Sequence, residues 1–138
     1  MARFVATDFS ISINGDDLSN SIAAVTIDQS AAEVETTSFG GSGFVSRVAG
    51  LQDASITIDF HHDYASGAVS DTLYDLVGSA ATVVVKPTSG TVSATNPSFT
   101  GVFLVTEWQP VAGSIGDLST ASVTWPLASG SGIVRATS

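Results

Sequence analysis

Residues 51–60 of the chain read LQDASITIDF, and their side chains alternate between apolar and polar. One face of an extended chain here would carry Ile56, Ile58 and Phe60. The opposite face would carry Ser55, Thr57 and Asp59. Because successive side chains of a strand point to opposite sides of a sheet, this alternation predicts a strand with one buried face and one wet face. The wet face has hydroxyl groups and one acid but no base.

The same alternation predicts further strands at residues 9–13, 24–29 and 119–125, and apolar runs predict strands at residues 82–86 and 99–108. Asn14-Gly15 favours the left-handed angles of a type I′ turn, so an early hairpin is expected. Residues 99–108 are apolar on both faces, and this strand is expected to be covered on both sides. Residues 110–117 are predicted to form a loop.

Residues 69–78, VSDTLYDLVG, form the one segment with a helical pattern. Ser70 is placed to cap the helix, and Asp71 suits its first turn. Leu73, Leu76 and Val77 form a single apolar stripe, which predicts a short helix lying against a sheet. Gly78 suits a left-handed cap at the end of the helix.

Composition limits the class of protein. The length of 138 residues suits a single domain, residues 1–138, and 43% hydrophobic residues exclude a disordered chain. Four Lys and Arg against 13 Asp and Glu give a net charge of −9, which disfavours binding to nucleic acid phosphates. The absence of cysteine excludes a disulfide framework and a thiolate zinc site.

Targeting signals are also lacking in the sequence. Residues 1–20 have no apolar core of the kind that signal peptides carry. No apolar run reaches the length needed to span a membrane, so we expect synthesis in the cytoplasm without obvious export.

Residues 38–50, SFGGSGFVSRVAG, combine four glycines with apolar side chains. We expect residues 30–32 to turn the chain, residues 33–37 to form a further extended piece, and residues 38–50 to form a long loop. Apolar side chains on such a loop would be exposed in a monomer, which is unusual. The alternative is that they fold back onto the core.

Candidate metal and acid sites are weak. His61, His62 and Asp63 have ligand chemistry, but adjacent strand residues point to opposite faces, and no familiar metal-binding spacing surrounds them. Asp16-Asp17 resembles a fragment of a calcium loop whose other ligand positions are missing.

Catalytic or sugar-binding chemistry has few candidates. Glu33 and Glu35 share one strand face, as paired catalytic carboxylates can, although acids on a wet edge are far commoner. Trp108 and Trp125 could stack on a sugar, but their strand patterns favour packing in a core or interface. No nucleophile elbow or phosphate loop is present in the sequence, and we expect neither an enzyme nor a cofactor.

Four stretches together resemble the tail tube (major tail) proteins of long-tailed bacteriophages with non-contractile tails. They are FSISINGDDLSNSIAAVTIDQSAAEVETTSFG, SRVAGLQDASITIDFHHDY, VSDTLYDLVG and FLVTEWQPVAGSIGDLSTASVTW, which cover most of residues 9–125. The likeness lies in the order of elements rather than in a sharp motif. Other tail, head-completion and secretion-tube proteins have a similar fold.

This resemblance implies a mainly β fold, a two-sheet β sandwich or partial barrel with one short flanking α-helix. It implies a structural virion protein that forms hexameric rings, and the rings stack into a tube through which DNA passes without specific binding. The implied partners are the protein itself and the tape measure, tail tip and tail terminator proteins. The implied location is the phage tail, and residues 127–138 would form a C-terminal tail.

Two groups of site residues follow from combining the resemblance with the residue patterns. The expected lumen-lining residues are polar and lie on strands: Asp59, Asp28, Thr57, Ser55 and Thr26. The expected contacts to the next ring lie in the loop: Phe39, Phe44, Val45 and Arg47. The rival hypothesis is a carbohydrate-binding β-sandwich module that uses Trp108 or Trp125.

Overall fold

The computed structural model describes residues 3–128 and 132–138. The strands in this part of the chain are β1 (Ser10–Ile13), β2 (Asp16–Asp17), β3 (Ile22–Glu35), β4 (Arg47–His61), β5 (Ala80–Lys86), β6 (Ser98–Leu104), β7 (Thr120–Pro126) and β8 (Val134–Ala136). They are joined by one α-helix, α1 (Val69–Tyr74), and by 3-10 turns at Ser19–Ser21 and Phe39–Gly41.

The strands form two antiparallel sheets. Sheet A has five strands in the order β2-β1-β5-β6-β8, and sheet B has three in the order β3-β4-β7. Apolar side chains from both sheets and from α1 fill the space between them; the largest fully buried ones are Trp125, Phe60, Phe103, Ile13, Ile56, Ile58 and Leu73. The expected two-sheet β sandwich with one short helix is confirmed.

Strand β4 is the centre of sheet B and has the predicted alternation. From Ala54 to His61, buried and partly exposed residues alternate without interruption. Phe60 lies in the middle of the core, where its ring meets Trp108 edge-on at 5.4 Å and Trp125 at 6.3 Å. Such aromatic packing stabilises the inner face of the sheet beyond its buried area.

The early hairpin is also confirmed. Asn14 and Gly15 have φ angles of 51° and 88°, as a type I′ turn requires, and they connect β1 to β2. The Asn14 side-chain oxygen accepts a hydrogen bond from the Thr82 N–H at 2.9 Å, so the turn is also tied to β5.

The structure corrects the predicted course of residues 30–50. No turn occurs at residues 30–32; β3 runs on to Glu35, with register shifts beside Ala24 and Glu33. Residues 47–50 belong to β4 rather than to a loop, because Val34 pairs with Val48 and Glu35 with Arg47. Cross-strand pairing therefore extends the hairpin well past the sandwich. We call residues 30–52 the arm and residues 36–46 its tip.

The helix is shorter than predicted and is capped differently. It ends at Tyr74, and its N-cap is Ala68, without a side-chain hydrogen bond. Ser70 does not cap the helix, because it is buried and its hydroxyl lies 3.2 Å from His62 Nδ1. Gly78 has the expected left-handed φ of 90°, and its N–H donates to the Val105 carbonyl.

The prediction for residues 99–108 was too long. Strand β6 ends at Leu104, and its outward side chains Val102 and Leu104 remain 37% exposed, so the strand is covered on one side. Beyond Leu104 the chain leaves sheet A. Within the predicted tail, residues 129–131 lie outside the described residues, while β8 pairs with β6 and Ile133 packs against the core.

Candidate functional site

The outer side of sheet B carries a polar face, formed by three cross-strand rows. The five residues that the sequence predicts to line a lumen all lie on this face, because β3, β4 and β7 are paired in matching register. The rows, each given in the order β3, β4, β7, are Ala24, Asp59 and Ser122; Thr26, Thr57 and Thr124; and Asp28, Ser55 and Pro126. The two hydroxyl oxygens of Thr57 and Thr124 are 3.2 Å apart, which links the middle row across β4 and β7.

Charge on the polar face has one sign. Asp28 and Asp59 are its charged members, and none of its nine residues is basic. Among the chain's four bases, Lys86 and Arg135 lie on sheet A, Arg3 lies before β1, and Arg47 lies on the arm. Such a face attracts no phosphate and offers hydroxyl groups to water.

The tip of the arm carries three large apolar side chains that are exposed in the isolated chain. Phe39, Phe44 and Val45 are 110%, 78% and 52% exposed, so the alternative that they fold back onto the core is wrong. A two-stranded ribbon has little stability alone in water, and large exposed apolar groups mark surfaces that meet another molecule. The arm tip is therefore a candidate contact surface.

Arg47 has a local role in the arm. Its Nε lies 2.7 Å from the Glu33 carboxylate, and both side chains are mostly exposed. This ion pair joins β3 to β4 where the arm has left the sandwich. Glu35 accepts a hydrogen bond from Thr37 at 3.1 Å. The Glu33 carboxylate thus joins the two strands of the arm, and the Glu35 carboxylate holds the start of its tip.

A second exposed apolar group lies at the opposite end of sheet B, which sequence reasoning missed. The loop between Pro110 and β7 exposes Val111, Ile115 and Leu118 by 83%, 105% and 67%. It joins β7 beside the His61–Thr120 pair, whereas the arm begins beyond the row of Asp28. Part of the signal was available, because Val111 and Ile115 fall within the predicted loop at residues 110–117.

The two histidines lie at the end of β4, and aromatic side chains pack against His62. His62 stacks on Tyr64 with ring centroids 5.4 Å apart and meets the Trp108 edge at the same separation. The residues that the structure describes contain no group of three or more His, Cys, Asp or Glu able to hold a metal ion.

Changing both His61 and His62 to Asn is expected to leave assembly at neutral pH intact. The amide of Asn can replace the hydrogen bond to Ser70, and the polar sheet face is untouched. Electron microscopy of the variant and metal analysis of wild type purified without added metal check this. Stoichiometric metal that disappears in the double variant would contradict the expectation.

Asp17 serves its own turn rather than a calcium site. Its carboxylate accepts hydrogen bonds from the hydroxyl and N–H of Ser19, and these bonds lower the pKa of Asp17 below its usual value. The Ser19 hydroxyl in turn contacts the backbone of Ile11. The carboxylate thus fixes the return of the chain after β2.

Both tryptophans belong to the core, which overturns the sugar-stacking hypothesis for these rings. Trp125 is fully buried and Trp108 is 9% exposed, so neither presents a face to a ligand. Trp125 Nε1 donates to the Glu107 carbonyl at 3.0 Å. A carbohydrate site built on either ring is therefore unavailable in this fold.

The described part of the chain defines a class: an open, two-sheet β sandwich with an extended hairpin arm, exposed apolar side chains at the arm tip, and a β3 edge without a strand partner. No described helix is long and apolar enough to cross a membrane. Scans against protein-family models and curated proteins found no match.

Solved structures that share the fold include two chains from gene transfer agent particles. A chain from the virion of a native gene transfer agent particle superposes with a TM-score of 0.69 and 18% identity, covering 92% of this chain and 95% of that one. A chain from the tail of an empty gene transfer agent particle with C6 symmetry gives a TM-score of 0.60 and 20% identity, covering 86% and 82%. These similarities confirm the fold that the resemblance to tail tube proteins implies.

Proposed function

We propose that this protein is a structural subunit of a virion tail tube, which assembles into hexameric rings that stack end to end. The observation that carries the proposal is the shared fold along nearly the whole length of both chains with a protein of a gene transfer agent virion. The C6 symmetry reported for the tail in the second comparison supports rings of six.

Three features of the described residues support this role. The polar, acidic face of sheet B suits the wall of a water-filled channel. The outer edge of β3 has no strand partner among the described residues, and closing subunits into a barrel removes such edges. The apolar arm tip suits a contact between successive rings, because a head-to-tail contact generates an open filament.

In this role the chain would carry out no catalytic step and would hold no cofactor. Its partners would be copies of itself and, at the ends and inside of the tube, the tape measure, tail tip and tail terminator proteins. DNA would pass through the lumen without specific binding. The subunit would be made in the host cytoplasm and reside in the tail of the virion.

Purified protein is expected to form rings or hollow tubes at high concentration or when seeded with tail tip proteins. Barrel closure and arm docking bury surfaces that are exposed in the free chain, so assembly is favoured by concentration. Negative-stain electron microscopy checks the result, with sixfold end views as the specific signature. Protein that stays monomeric in every condition and never joins a seeded tail would contradict the proposed function.

A further inference from the structure

The outer edge of β7 is the second edge of sheet B. At the two ends of the strand, His62 N–H donates to Ser119 O and Leu127 N–H to Ala54 O, both at 3.0 Å. Odd-numbered residues of β7 therefore hydrogen bond to β4. Because the direction alternates along an antiparallel strand, the N–H groups of Ser122 and Thr124 point away from the sheet.

These two outward N–H groups are occupied by side chains of the same subunit. Thr124 N–H donates to Glu107 Oε1 at 2.8 Å, and Ser122 N–H donates to Gln109 Oε1 at 3.4 Å. Glu107 and Gln109 are two residues apart, as are their donors, and the order is reversed. The segment from Glu107 to Gln109 thus lies antiparallel to β7, with side-chain oxygens in place of backbone carbonyls.

The backbone around Glu107 is held in place from both sides. Trp125 Nε1 donates to the Glu107 carbonyl at 3.0 Å, from inside the core. Two residues earlier, Val105 N–H donates to Ser79 O at 2.9 Å, and Val105 O accepts from Gly78 at 2.8 Å. The two side chains therefore project from a fixed segment rather than from a mobile loop.

The opposite edge of sheet B differs. By the same alternation, Val25, Ile27 and Gln29 direct their backbone groups away from β4. Within residues 3–128 and 132–138, no strand or side chain forms a hydrogen bond with these groups. Two outward N–H groups of the β7 edge are therefore occupied by side chains, whereas those of the β3 edge are not.

We propose that Glu107 and Gln109 cap the β7 edge so that a second copy of this chain does not add a strand there before ordered assembly. An unpaired edge accepts almost any extended chain, and natural sheets protect such edges. With β7 capped, the β3 edge is the one available for the first contact between copies. This inference rests on the proposed function for the identity of the partner, and it adds a control over the order of assembly.

The test compares wild type with the double variant Glu107→Ala/Gln109→Ala under conditions in which wild type is unassembled. Hydrogen exchange at the amides of Thr124 and Ser122 is expected to speed up, at Thr124 by about tenfold, because each amide loses the side-chain oxygen that accepts its hydrogen bond. Sedimentation velocity is expected to show irregular oligomers at concentrations where wild type remains monomeric.

The matched control is Glu107→Gln, which keeps an acceptor oxygen at the same position without the charge. It is expected to behave as wild type in both measurements. If Glu107→Gln instead behaves like the double variant, the hydrogen-bonded cap is overturned in favour of simple charge repulsion. If the double variant does not fold, the single variant Gln109→Ala replaces it, and hydrogen exchange is measured at the Ser122 amide.

Two further outcomes overturn the inference. One is unchanged hydrogen exchange at both amides, since the two side chains then do not protect the N–H groups of β7. The other is faster exchange without added association, since the cap then does not prevent contacts between copies. Failure of wild type to form tubes even when seeded would instead contradict the proposed function. The exchange and sedimentation measurements on the free chain would still test whether Glu107 and Gln109 protect the β7 edge.

Discussion

Replacing Phe39, Phe44 and Val45 together with serine is expected to leave the free subunit folded and to abolish tube growth. All three side chains are exposed in the isolated chain, so the core loses nothing. In a stacked tube, each large apolar side chain that becomes buried contributes about 1.5–3 kcal/mol, and every arm in a ring would lose that contribution. Thermal unfolding monitors the fold, and negative-stain electron microscopy monitors growth.

The conservative variant Phe39→Leu, Phe44→Leu, Val45→Ile is the matched control, because it keeps the tip apolar. It is expected to retain growth. A large fall in the melting temperature of the unassembled serine variant would show that these side chains stabilise the subunit itself. Normal tubes from the serine variant would show that the arm tip does not join rings.

Changing Asp28 and Asp59 to Lys is expected to convert the proposed lumen into a DNA-binding surface. Their neighbours on the polar face are hydroxyl and small side chains, so the fold should tolerate the change, with an effect of roughly 0.5 kcal/mol. Each new lysine that meets a phosphate releases counterions, which gives binding that falls with salt at a log–log slope of about 0.9 per contact. Open tubes are therefore expected to gain salt-sensitive DNA binding, and DNA passage is expected to slow.

The matched control places the same charges elsewhere, with Asp16→Lys and Asp75→Lys. Both acids are exposed and lie off the polar face, at the early hairpin and after α1. This control should bind DNA much less inside open tubes. Normal ejection by the Asp28/Asp59 variant, together with both side chains on the outer wall, would disprove their role. An acidic lumen would then have to rest on Glu33, Glu35 or Asp117.

Local patterns in the sequence were sufficient for most of the sandwich. The alternation within residues 51–60 identified both faces of β4, and Asn14-Gly15 identified the first turn. The five expected lumen-lining residues do share one sheet face, because parity along each strand assigns a side chain to a face once the strand is known. Their role in a lumen remains a prediction.

Other features depended on pairing between distant residues. The arm arises because Val34 pairs with Val48 and Glu35 with Arg47, and residues 30–32 carry no local signal that the strand continues past the sandwich. The cap on β7 depends on Glu107 meeting Thr124, two residues that are far apart in the chain. Ser70 has the residue type of a helix cap, yet burial beside His62 gives it another partner.

The sequence by itself determined the strand character, the inner and outer faces, the acidic balance and the apolar content of the arm tip, because each depends on composition or on a period of a few residues. Tertiary structure alone decided which edge of sheet B is open, which is capped, and how far the arm extends. Those properties depend on register between strands, and register is set by long-range packing that a one-dimensional pattern does not contain.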